Sequence, residues 1–289
     1  MHEKKKYVII TPAYNESEFI SKTIDSVIKQ TILPAEWIIV DDSSTDKTSE
    51  IINFYTKSYP WLKYVKKNKS VAPFGANVVE VFYFGKNLIT NNDYDFIVKL
   101  DADIDLIRSD YFEYQIKKFN EIKKLGISSG ITYYIKNGKK ILVDHPDWRT
   151  TGALKMYRKE CFTEIGGIEP IFGWDGLDEY KAMYRGWQTR TFRDLEVLHL
   201  KKIVSIAREN TPDYYIKKGL SYYQRGYPYE FIFIKSISLL LKLNVKYGFN
   251  LLRGYFIARL QHVKQFVSRE EKKFIRRFQI KRISLRRIE

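Results

Sequence analysis

Short apolar runs alternate with longer stretches of helical spacing over residues 1–100, and this pattern constrains the fold more than any other feature. It predicts strands over 7–11, 37–40, 62–65 and 96–100, and helices over 21–30, 45–59 and 77–88. Short strands that alternate with longer helices indicate an α/β fold with a mostly parallel sheet and helices on both faces. In such sheets, ligands bind beyond the carboxyl ends of the strands.

The middle of the chain follows a more mixed pattern. Apolar segments at 131–135 and 141–143 flank Asn137-Gly138, which is typical of a hairpin turn. A helix is predicted over 177–185 and a strand over 197–200, from the spacing of their apolar residues.

Positive charge is concentrated in the last quarter of the chain. The formal net charge is +16, and residues 216–289 contribute +14 of it. Charge and pattern both change near Pro212, so we expect an α/β domain over 1–212 and a basic amphipathic helical region over 213–289. A region of this charge is attracted to phosphate groups of nucleic acids or anionic lipids, and to polyanionic glycans.

Two interpretations of this C-terminal region remain open. One is a peripheral membrane surface, in which basic amphipathic helices lie against anionic headgroups. The other is a helical domain that closes over a substrate or forms an oligomer, with its charge solvated. Apolar residues that suit one helix face, with lysines among them, are Ile232, Ile234, Ile237, Leu240 and Leu241.

The sequence also bears on the cellular compartment. Cys161 is the single cysteine, which excludes an internal disulfide, fits a reducing compartment and is best explained as a buried structural thiol. No long apolar stretch follows the N-terminal lysines, so no signal peptide is visible. The most apolar stretch, 229–243, is interrupted by Lys235 and Lys242 and does not suit a bilayer span. We expect a cytoplasmic protein, peripheral at the inner face of the cell membrane.

Asp101 and Asp103 directly follow the strand predicted over 96–100. Two carboxylates one residue apart at a strand end can hold a divalent cation from one side. The open side of that cation is then available to a diphosphate. The pair alone is also compatible with a solvated turn, so its interpretation depends on the other polar clusters.

Two such clusters follow the first two strands. Pro12 ends the first strand, and the polar residues after it can begin the next helix. Tyr14 can present a flat face to a nucleobase. Asp41 and Asp42 end the second strand, where adjacent carboxylates repel each other. A carboxylate in this place can accept a hydrogen bond from a base N–H or a ribose hydroxyl.

The last cluster surrounds Asp175 and Asp178, which lie three residues apart and would share one face at a helix start. Acidic residues there are also favoured by the helix dipole, so capping is the alternative explanation. Trp174 and Trp187 near these acids suggest a wall against which a sugar ring could stack.

These clusters together resemble an inverting family 2 glycosyltransferase with the GT-A fold. The motifs are T-P-A-Y-N-E, D-D-S-S-T-D, D-A-D and W-D-G-L-D-E, and their order in the chain carries the resemblance over roughly residues 5–200. Members of this family use a nucleotide-diphosphate sugar and usually Mg²⁺ or Mn²⁺. The resemblance implies a UDP-sugar as the commonest donor and a saccharide or lipid-linked acceptor, in cell-surface polysaccharide or glycolipid biosynthesis.

The resemblance also assigns roles to individual residues. Asp103 would be the principal metal ligand, with Asp101 on the ribose or the metal, and His199 as a ligand of the metal or the diphosphate. Lys201 and Lys202 could neutralise the leaving diphosphate, but surface lysines are common and that explanation is preferred. The nucleoside pocket and donor contacts would come from Pro12, Tyr14, Glu16, Asp42 and Asn77.

The catalytic base of the family is commonly an Asp at a set distance before a Gly-aromatic pair. Asp175 stands 11 residues before Gly186 and matches that distance, with Asp178 as the second candidate and Trp174 in place of the usual acidic partner. Residues 70–76 are a further departure, because the family often has basic residues there.

Two other functions are compatible with parts of the sequence. A nucleic-acid-binding protein would explain the basic C-terminal region, but the acidic clusters of the first two hundred residues would repel phosphates, so no nucleic acid is expected. A sugar nucleotidyltransferase would need a Gly-rich phosphate loop after the first strand, and no glycine precedes Gly75. In a nucleic-acid-binding protein, the tyrosines that could stack on bases are Tyr222, Tyr223, Tyr227 and Tyr255.

Overall fold

The computed structural model describes residues 5–69, 75–201, 211–242 and 245–284. The strands in this part of the chain are β1 (Tyr7–Ala13), β2 (Glu36–Asp41), β3 (Leu62–Lys66), β4 (Phe96–Leu100), β5 (Ile104–Asp105), β6 (Leu125–Lys136), β7 (Lys139–Leu142), β8 (Leu154–Arg158) and β9 (Gln188–His199). The helices are α1 (Ile20–Ile28), α2 (Thr48–Thr56), α3 (Asn77–Lys86), α4 (Tyr111–Glu121), α5 (Lys159–Glu164), α6 (Trp174–Tyr184), α7 (Pro212–Gln224), α8 (Tyr229–Lys242), α9 (Val245–Leu260) and α10 (Arg269–Ser284).

These strands form one sheet in the order β3-β2-β1-β4-β8-β6-β9-β5, with β7 paired to β6. The first four strands of this order are mutually parallel, which confirms the parallel β-α-β half expected from the sequence. Strand β8 then runs antiparallel to both β4 and β6, while β9 runs parallel to β6. The carboxyl ends of β1, β2, β4 and β9 therefore lie along one edge of the sheet.

The central strands are buried on both faces because helices cover each side. Residues of β1 and β2 are almost all buried, with no polar alternation. Tyr7 and Ile9 pack with residues from α1, α2 and α4, whereas Val8 and Ile10 pack with residues from α3, α5 and α6. Cys161 belongs to this second cluster and is a free, buried thiol, as expected.

The predicted hairpin is confirmed. Lys136 of β6 pairs with Lys139 of β7, and the two residues between them both have positive φ. Asn137 and Gly138 are the residue types that tolerate this conformation best, so the turn sets the register of the strands. The sequence patterns did not reveal α4, β8 or the first half of β6, because their apolar residues are interrupted by buried polar ones such as Gln115, Ser128 and Lys155.

The C-terminal helices share a core with α6. The Tyr180 hydroxyl lies 3.0 Å from that of Tyr227, and Gln279 donates a hydrogen bond to Tyr180 at 2.6 Å. The Ser221 hydroxyl donates to the backbone oxygen of Phe172, which holds α7 against the segment before α6. The helical region expected after Pro212 is present, whereas residue 210 and the segment before it lie outside the described residues.

Every helix in the described part of the chain is too short or too polar to cross a membrane.

Candidate active site

A cleft of about 710 Å³ opens at the carboxyl ends of β1, β2 and β4. This is the edge at which parallel α/β sheets bind ligands. Residues predicted from the sequence that line it are Pro12, Tyr14, Glu16, Asp42, Asn77, Asp101, Asp103 and His199. Residues that line it but were not predicted include Lys69, Phe172 and Tyr214.

The backbone of the turn after β4, which carries the two carboxylates, is held by hydrogen bonds. The N–H of Asp101 donates to the oxygen of Ala153 at 2.8 Å. The buried Thr23 hydroxyl donates to the oxygen of Ala102 at 2.8 Å and accepts from the N–H of Ile104 at 3.1 Å. A turn whose backbone is held in this way places both Asp residues at the cleft before a ligand binds.

His199 reaches the same place from the far end of β9. Ile104 and His199 are partners in the short β5–β9 ladder, and the N–H of Leu200 donates to the oxygen of Asp103 at 2.9 Å. The Nε2 atom of His199 lies 3.1 Å from Oδ2 of Asp103. Asp101, Asp103 and His199 each offer one ligand atom, and these atoms lie within 4.8 Å of one another.

These donor atoms fit a divalent cation. Two carboxylate oxygens and one imidazole nitrogen suit Mn²⁺, which accepts both kinds of ligand, and suit Mg²⁺ less well because it prefers oxygen. Burial alone would raise the pKa of Asp103. The hydrogen bond and the charge of His199 lower this pKa by more than burial raises it, so the net shift is downward. A lowered pKa keeps the carboxylate ionised, as a metal ligand requires.

Lys99 is a residue of this site that sequence reasoning missed. Its side chain is 3% exposed, yet its ammonium group forms an ion pair with Oδ1 of Asp101 and donates to the oxygen of Gly152 at 2.9 Å. The same ammonium lies 5.3 Å from the centre of the Trp174 ring. Lys99 therefore links the turn after β4 to the start of α6. A lysine inside an otherwise apolar strand was the signal that could have found it.

Asp41 and Asp42 have different surroundings, and this explains how two adjacent carboxylates can be tolerated. Asp41 is fully buried and accepts hydrogen bonds from the Ser44 N–H at 2.7 Å, from the Tyr64 hydroxyl at 2.9 Å and from the Ser49 hydroxyl at 3.0 Å. It holds the loop after β2. Asp42 lines the cleft, with its N–H bonded to the oxygen of Ala13 at 2.8 Å.

Two residues with positive φ shape the loops on this side of the cleft. Asn15 has φ 54° and Ser43 has φ 64°. The side chain of Asn15 accepts from the N–H of Thr45 at 2.8 Å, and its own N–H donates to Ser44 at 2.9 Å. The loops after β1 and β2 therefore support each other, and they expose Tyr14, which is 40% exposed at the cleft.

Glu16 forms an ion pair across the cleft with Lys201, at 3.0 Å between Oε1 and Nζ. Its other oxygen, Oε2, is buried and has no hydrogen-bond partner among the described residues. Burial raises the pKa of Glu16 to about 7, helped by repulsion from Asp103 and Asp101 and opposed by Lys201. Lys201 thus lies at the cleft beside Glu16, whereas Lys202 lies outside the described residues.

Asp175 lies in the first turn of α6, three residues after Phe172 at the cleft wall. It does not itself line the cleft. Its carboxylate packs against Gly152, where a Cβ would stand 3.0 Å from Oδ2. Burial raises the pKa of Asp175, but the charges of Lys155, Arg149, Arg225 and Lys99 lower it more, and the net shift is downward. Asp175 is therefore an ionised carboxylate among cations.

Asp178, the second candidate for the catalytic base, is buried and bonded to other core residues, and these surroundings argue against that role. It is 2% exposed, and both its oxygens lie 2.9 Å from the ammonium of Lys155, which is fully buried. The Tyr157 hydroxyl also donates to it at 2.6 Å. A carboxylate enclosed in this way has no route to a substrate hydroxyl.

The two predicted acceptor tryptophans do not form a wall, and this expectation is corrected. Trp174 is 7% exposed and packs in the core, with its ring beneath Lys99 and Lys155. Trp187 directly precedes β9, whose opposite end carries His199, and it donates a hydrogen bond to Glu164 at 2.7 Å. Trp187 therefore lies one strand length away from the cleft residue His199.

Comparison with known sequences identifies relatives. The family model for glycosyl transferase family 2 matches residues 8–172. The uncharacterized glycosyltransferase MG025 of Mycoplasma genitalium is 28% identical over an alignment of 199 residues, and the match covers 64% of each chain. A chondroitin synthase of Pasteurella multocida is 31% identical over 117 residues, or 40% of this chain and 11% of that one. The chain thus spans less than two thirds of the length of both relatives.

Solved structures share the fold. The mannosyltransferase PcManGT from Pyrobaculum calidifontis, in complex with GDP-Man and Mn²⁺, matches with a TM-score of 0.57 at 15% identity, over 98% of this chain and 81% of that one. Residues 1–349 of S. aureus TarS in complex with UDP match with a TM-score of 0.57 at 15% identity, over 89% and 92%. These likenesses confirm the GT-A fold expected from the sequence. Because the family match covers more than half of the sequence, the chain belongs to glycosyl transferase family 2.

Proposed function

We propose that this protein transfers a sugar from a nucleotide-diphosphate donor to an acceptor hydroxyl, with inversion at the anomeric carbon. The observation that carries the proposal is the meeting of Asp42, Asp101, Asp103 and His199, from separate stretches of the chain, in one cleft at the carboxyl edge of the sheet. A glycan acceptor is supported by the relationship to a chondroitin synthase, which builds a polysaccharide.

The donor is assigned to the cleft. Asp42 would accept from the base, Tyr14 would cover the nucleoside, and Asn77 at the start of α3 would contact the donor. Asp101, Asp103 and His199 would hold Mn²⁺ or Mg²⁺, which would neutralise the charge that develops on the leaving diphosphate. A UDP-sugar is the proposed donor, in line with the UDP bound to the TarS neighbour. A thermal-shift comparison of UDP, GDP and dTDP with Mn²⁺ tests this choice.

Asp175 is the proposed general base. It is ionised, stands at the start of α6 and follows the cleft residue Phe172 by three positions. Its carboxylate would take the proton from the acceptor hydroxyl as that oxygen attacks the sugar. Direct attack from the side opposite the diphosphate inverts the anomeric configuration, so no covalent sugar-enzyme intermediate forms.

We expect Asp175→Asn to leave binding of UDP with Mn²⁺ unchanged and to lower catalysis by about 10²–10⁴-fold, the usual contribution of a general base. Water can serve as the acceptor, so the measurement is UDP release from UDP-glucose, UDP-galactose and UDP-N-acetylglucosamine. Proton NMR of early product tests inversion, since an α-linked donor should first release the β anomer.

The control for this variant is Asp213→Asn, in an exposed ion pair with Lys217 on α7. It removes the same charge at the surface and should release UDP at the wild-type rate. Undiminished release by Asp175→Asn would exclude Asp175 as the base. Early release of the α anomer would exclude inversion.

A membrane surface is the proposed partner of the C-terminal helices. Phe233, Ile237 and Leu241 follow one another at intervals of four residues on α8 and are 55%, 42% and 82% exposed. On α9, Phe249 and Leu260 are 63% and 77% exposed. Large apolar side chains left in water, on a region of strong positive charge, fit insertion among anionic headgroups.

We expect the double variant Phe233→Ser and Leu241→Ser to bind phosphatidylglycerol vesicles at least about tenfold more weakly, because two inserted side chains are lost. Vesicle co-sedimentation at low and high salt measures this. Phe54→Ser, which removes a 70% exposed ring from α2, should bind as the wild type does. Binding that responds neither to lipid charge nor to salt would contradict membrane association.

The alternative of nucleic-acid binding loses the support of its tyrosines in this structure and keeps only that of the positive charge. Tyr222, Tyr227 and Tyr255 are at most 6% exposed and pack against one another in the C-terminal core, so their faces are not available to bases. Tyr223 is partly buried in the same cluster. A gel-shift assay with single-stranded DNA should therefore show only weak, salt-sensitive binding.

A further inference from the structure

Residues 150–153 lie between the turn after β4 and helix α6. The oxygen of Ala153 accepts a hydrogen bond from the N–H of Asp101 at 2.8 Å. The oxygen of Gly152 accepts one from the ammonium of Lys99 at 2.9 Å, and the same ammonium is paired with Asp101. Two successive backbone oxygens of the segment are therefore bonded to the stretch that carries the proposed metal ligands.

The other end of the segment is bonded to α6. The N–H and the hydroxyl of Thr150 both donate to Oε1 of Glu179, at 2.6 and 2.7 Å. The N–H of Thr151 donates to the buried hydroxyl of Ser129 on β6 at 2.9 Å. Glu179 lies four residues after Asp175 on the same helix. The segment therefore connects the helix that carries Asp175 to the proposed metal site.

Gly152 lies directly against the carboxylate of Asp175. A Cβ on residue 152 would stand 3.0 Å from Oδ2 and 3.1 Å from Cβ of Asp175. These separations are shorter than the optimal distance between non-bonded atoms, so a side chain there would displace the carboxylate by a few tenths of an ångström. Glycine at this position leaves the space in which the carboxylate lies.

Packing and charge set the position of the Asp175 carboxylate. No residue in the described part of the chain donates a hydrogen bond to it. The cations whose charge lowers its pKa are Lys155, Arg149, Arg225 and Lys99. The Coulomb energy changes gradually with distance, whereas steric repulsion changes within a few tenths of an ångström. The contact with Gly152 therefore limits the position of the carboxylate more sharply than the surrounding charges do.

We propose that Gly152 is a positioning residue, which sets the distance between Asp175 and the proposed metal site. The inference rests on the proposed function, because it takes Asp175 as the general base. Lys99 holds the oxygen of Gly152, so the backbone that limits the base is fixed to the same turn as Asp101. A general base must lie within hydrogen-bond reach of the attacking hydroxyl when the donor is in place, and one rigid frame for both provides this.

The test is Gly152→Ala in the full chain, with UDP release from the UDP-sugar that the wild type hydrolyses fastest. The kcat should fall by about tenfold or more, since a misplacement of about 1 Å costs about 100-fold, while the KM for the donor should stay unchanged. Binding of Mn²⁺ in the presence of UDP should match the wild type, because Gly152 does not line the cleft. The electron paramagnetic resonance signal of free Mn²⁺ measures this binding and shows that the variant is folded.

The matched control is Gly138→Ala, which adds the same methyl group in the exposed hairpin turn, where nothing lies within 4 Å of it. It should keep the wild-type kcat. In protein that already carries Asp175→Asn, Gly152→Ala should cause no further loss of hydrolysis, because the group that it displaces no longer acts as a base.

A wild-type kcat in Gly152→Ala would overturn the positioning role. An equal loss in the presence and absence of the Asp175 carboxylate would do the same, since the methyl group would then act elsewhere. Asp175→Asn alone separates the two failures. Full hydrolysis by that variant counts against the proposed function, whereas its loss beside full hydrolysis by Gly152→Ala confines the failure to the positioning role.

Discussion

Asp103→Asn should abolish the stabilisation that Mn²⁺ and UDP together give the protein, and should lower UDP-sugar hydrolysis by about 100-fold or more. Asp103 is 8% exposed and sits between Asp101 and His199, so replacing its charge removes the central ligand of the proposed metal site. Charge stabilisation by a metal contributes several kcal/mol to such reactions, and about 3 kcal/mol corresponds to 100-fold in rate. Thermal shifts with and without Mn²⁺ and UDP, together with UDP release, measure the two effects.

Asp105→Asn is the matched control for this experiment. Asp105 lies two residues further on, in β5, and does not line the cleft. It should keep both the Mn²⁺-dependent shift and the hydrolysis rate. If Asp103→Asn retained a full nucleotide shift that still required Mn²⁺, the metal would have to bind elsewhere, and the proposed donor site would be wrong.

Lys155→Met should destabilise the protein by about 3–5 kcal/mol, the cost of leaving buried charges without a partner. Lys155 is fully buried and pairs with Asp178 at 2.9 Å and Glu179 at 3.2 Å. It also donates to the backbone oxygen of Asp175, so its loss affects the start of α6. Urea unfolding at neutral pH measures the change in free energy.

The pH dependence of this effect follows from Glu179. Burial raises the pKa of Glu179, and the charge of Lys155 opposes that shift. Without Lys155, the folded protein holds the Glu179 proton more tightly than the unfolded chain does. Protonation then favours the folded state, so the deficit of the variant should shrink as the pH falls below neutral.

The control is Lys140→Met, because Lys140 forms an ion pair with Glu196 in which both side chains are more than 40% exposed. Such pairs contribute about 0–1 kcal/mol. A Lys155→Met protein as stable as this control would show that the buried network does not stabilise the fold.

Local sequence predicted the parallel half of the sheet and its ligand-binding edge. Short apolar runs such as 37–40 that alternate with helical segments are typical of parallel strands buried on both faces, and the polar residues that follow them then lie at one edge. The prediction of Asp42, Asp101 and Asp103 in one cleft needed no more than this. The chain order of the motifs also identified the family, since each motif marks a fixed point in the same topology.

Charged residues inside the core could not be interpreted from sequence. Lys99 and Lys155 occupy strands, where a lysine normally marks an exposed edge, yet each is at most 3% exposed. Their partners Asp101 and Asp178 lie on the adjoining turn and on α6, at sequence separations of 2 and 23 residues. Burial and pairing depend on what packs above each strand, which local periodicity does not encode.

The sequence by itself determined the order of strands and helices over residues 1–100, the edge at which ligands bind and the family, because these follow from local apolar patterns and from residues close together in the chain. The tertiary structure alone decided which acids are available for chemistry. It enclosed Asp178 with Lys155, placed Trp187 at the far end of β9, and brought Arg149 and Arg225 together over α6. Such contacts arise from packing between distant segments, where desolvation and charge pairing act together and neighbouring residues in the sequence give no signal.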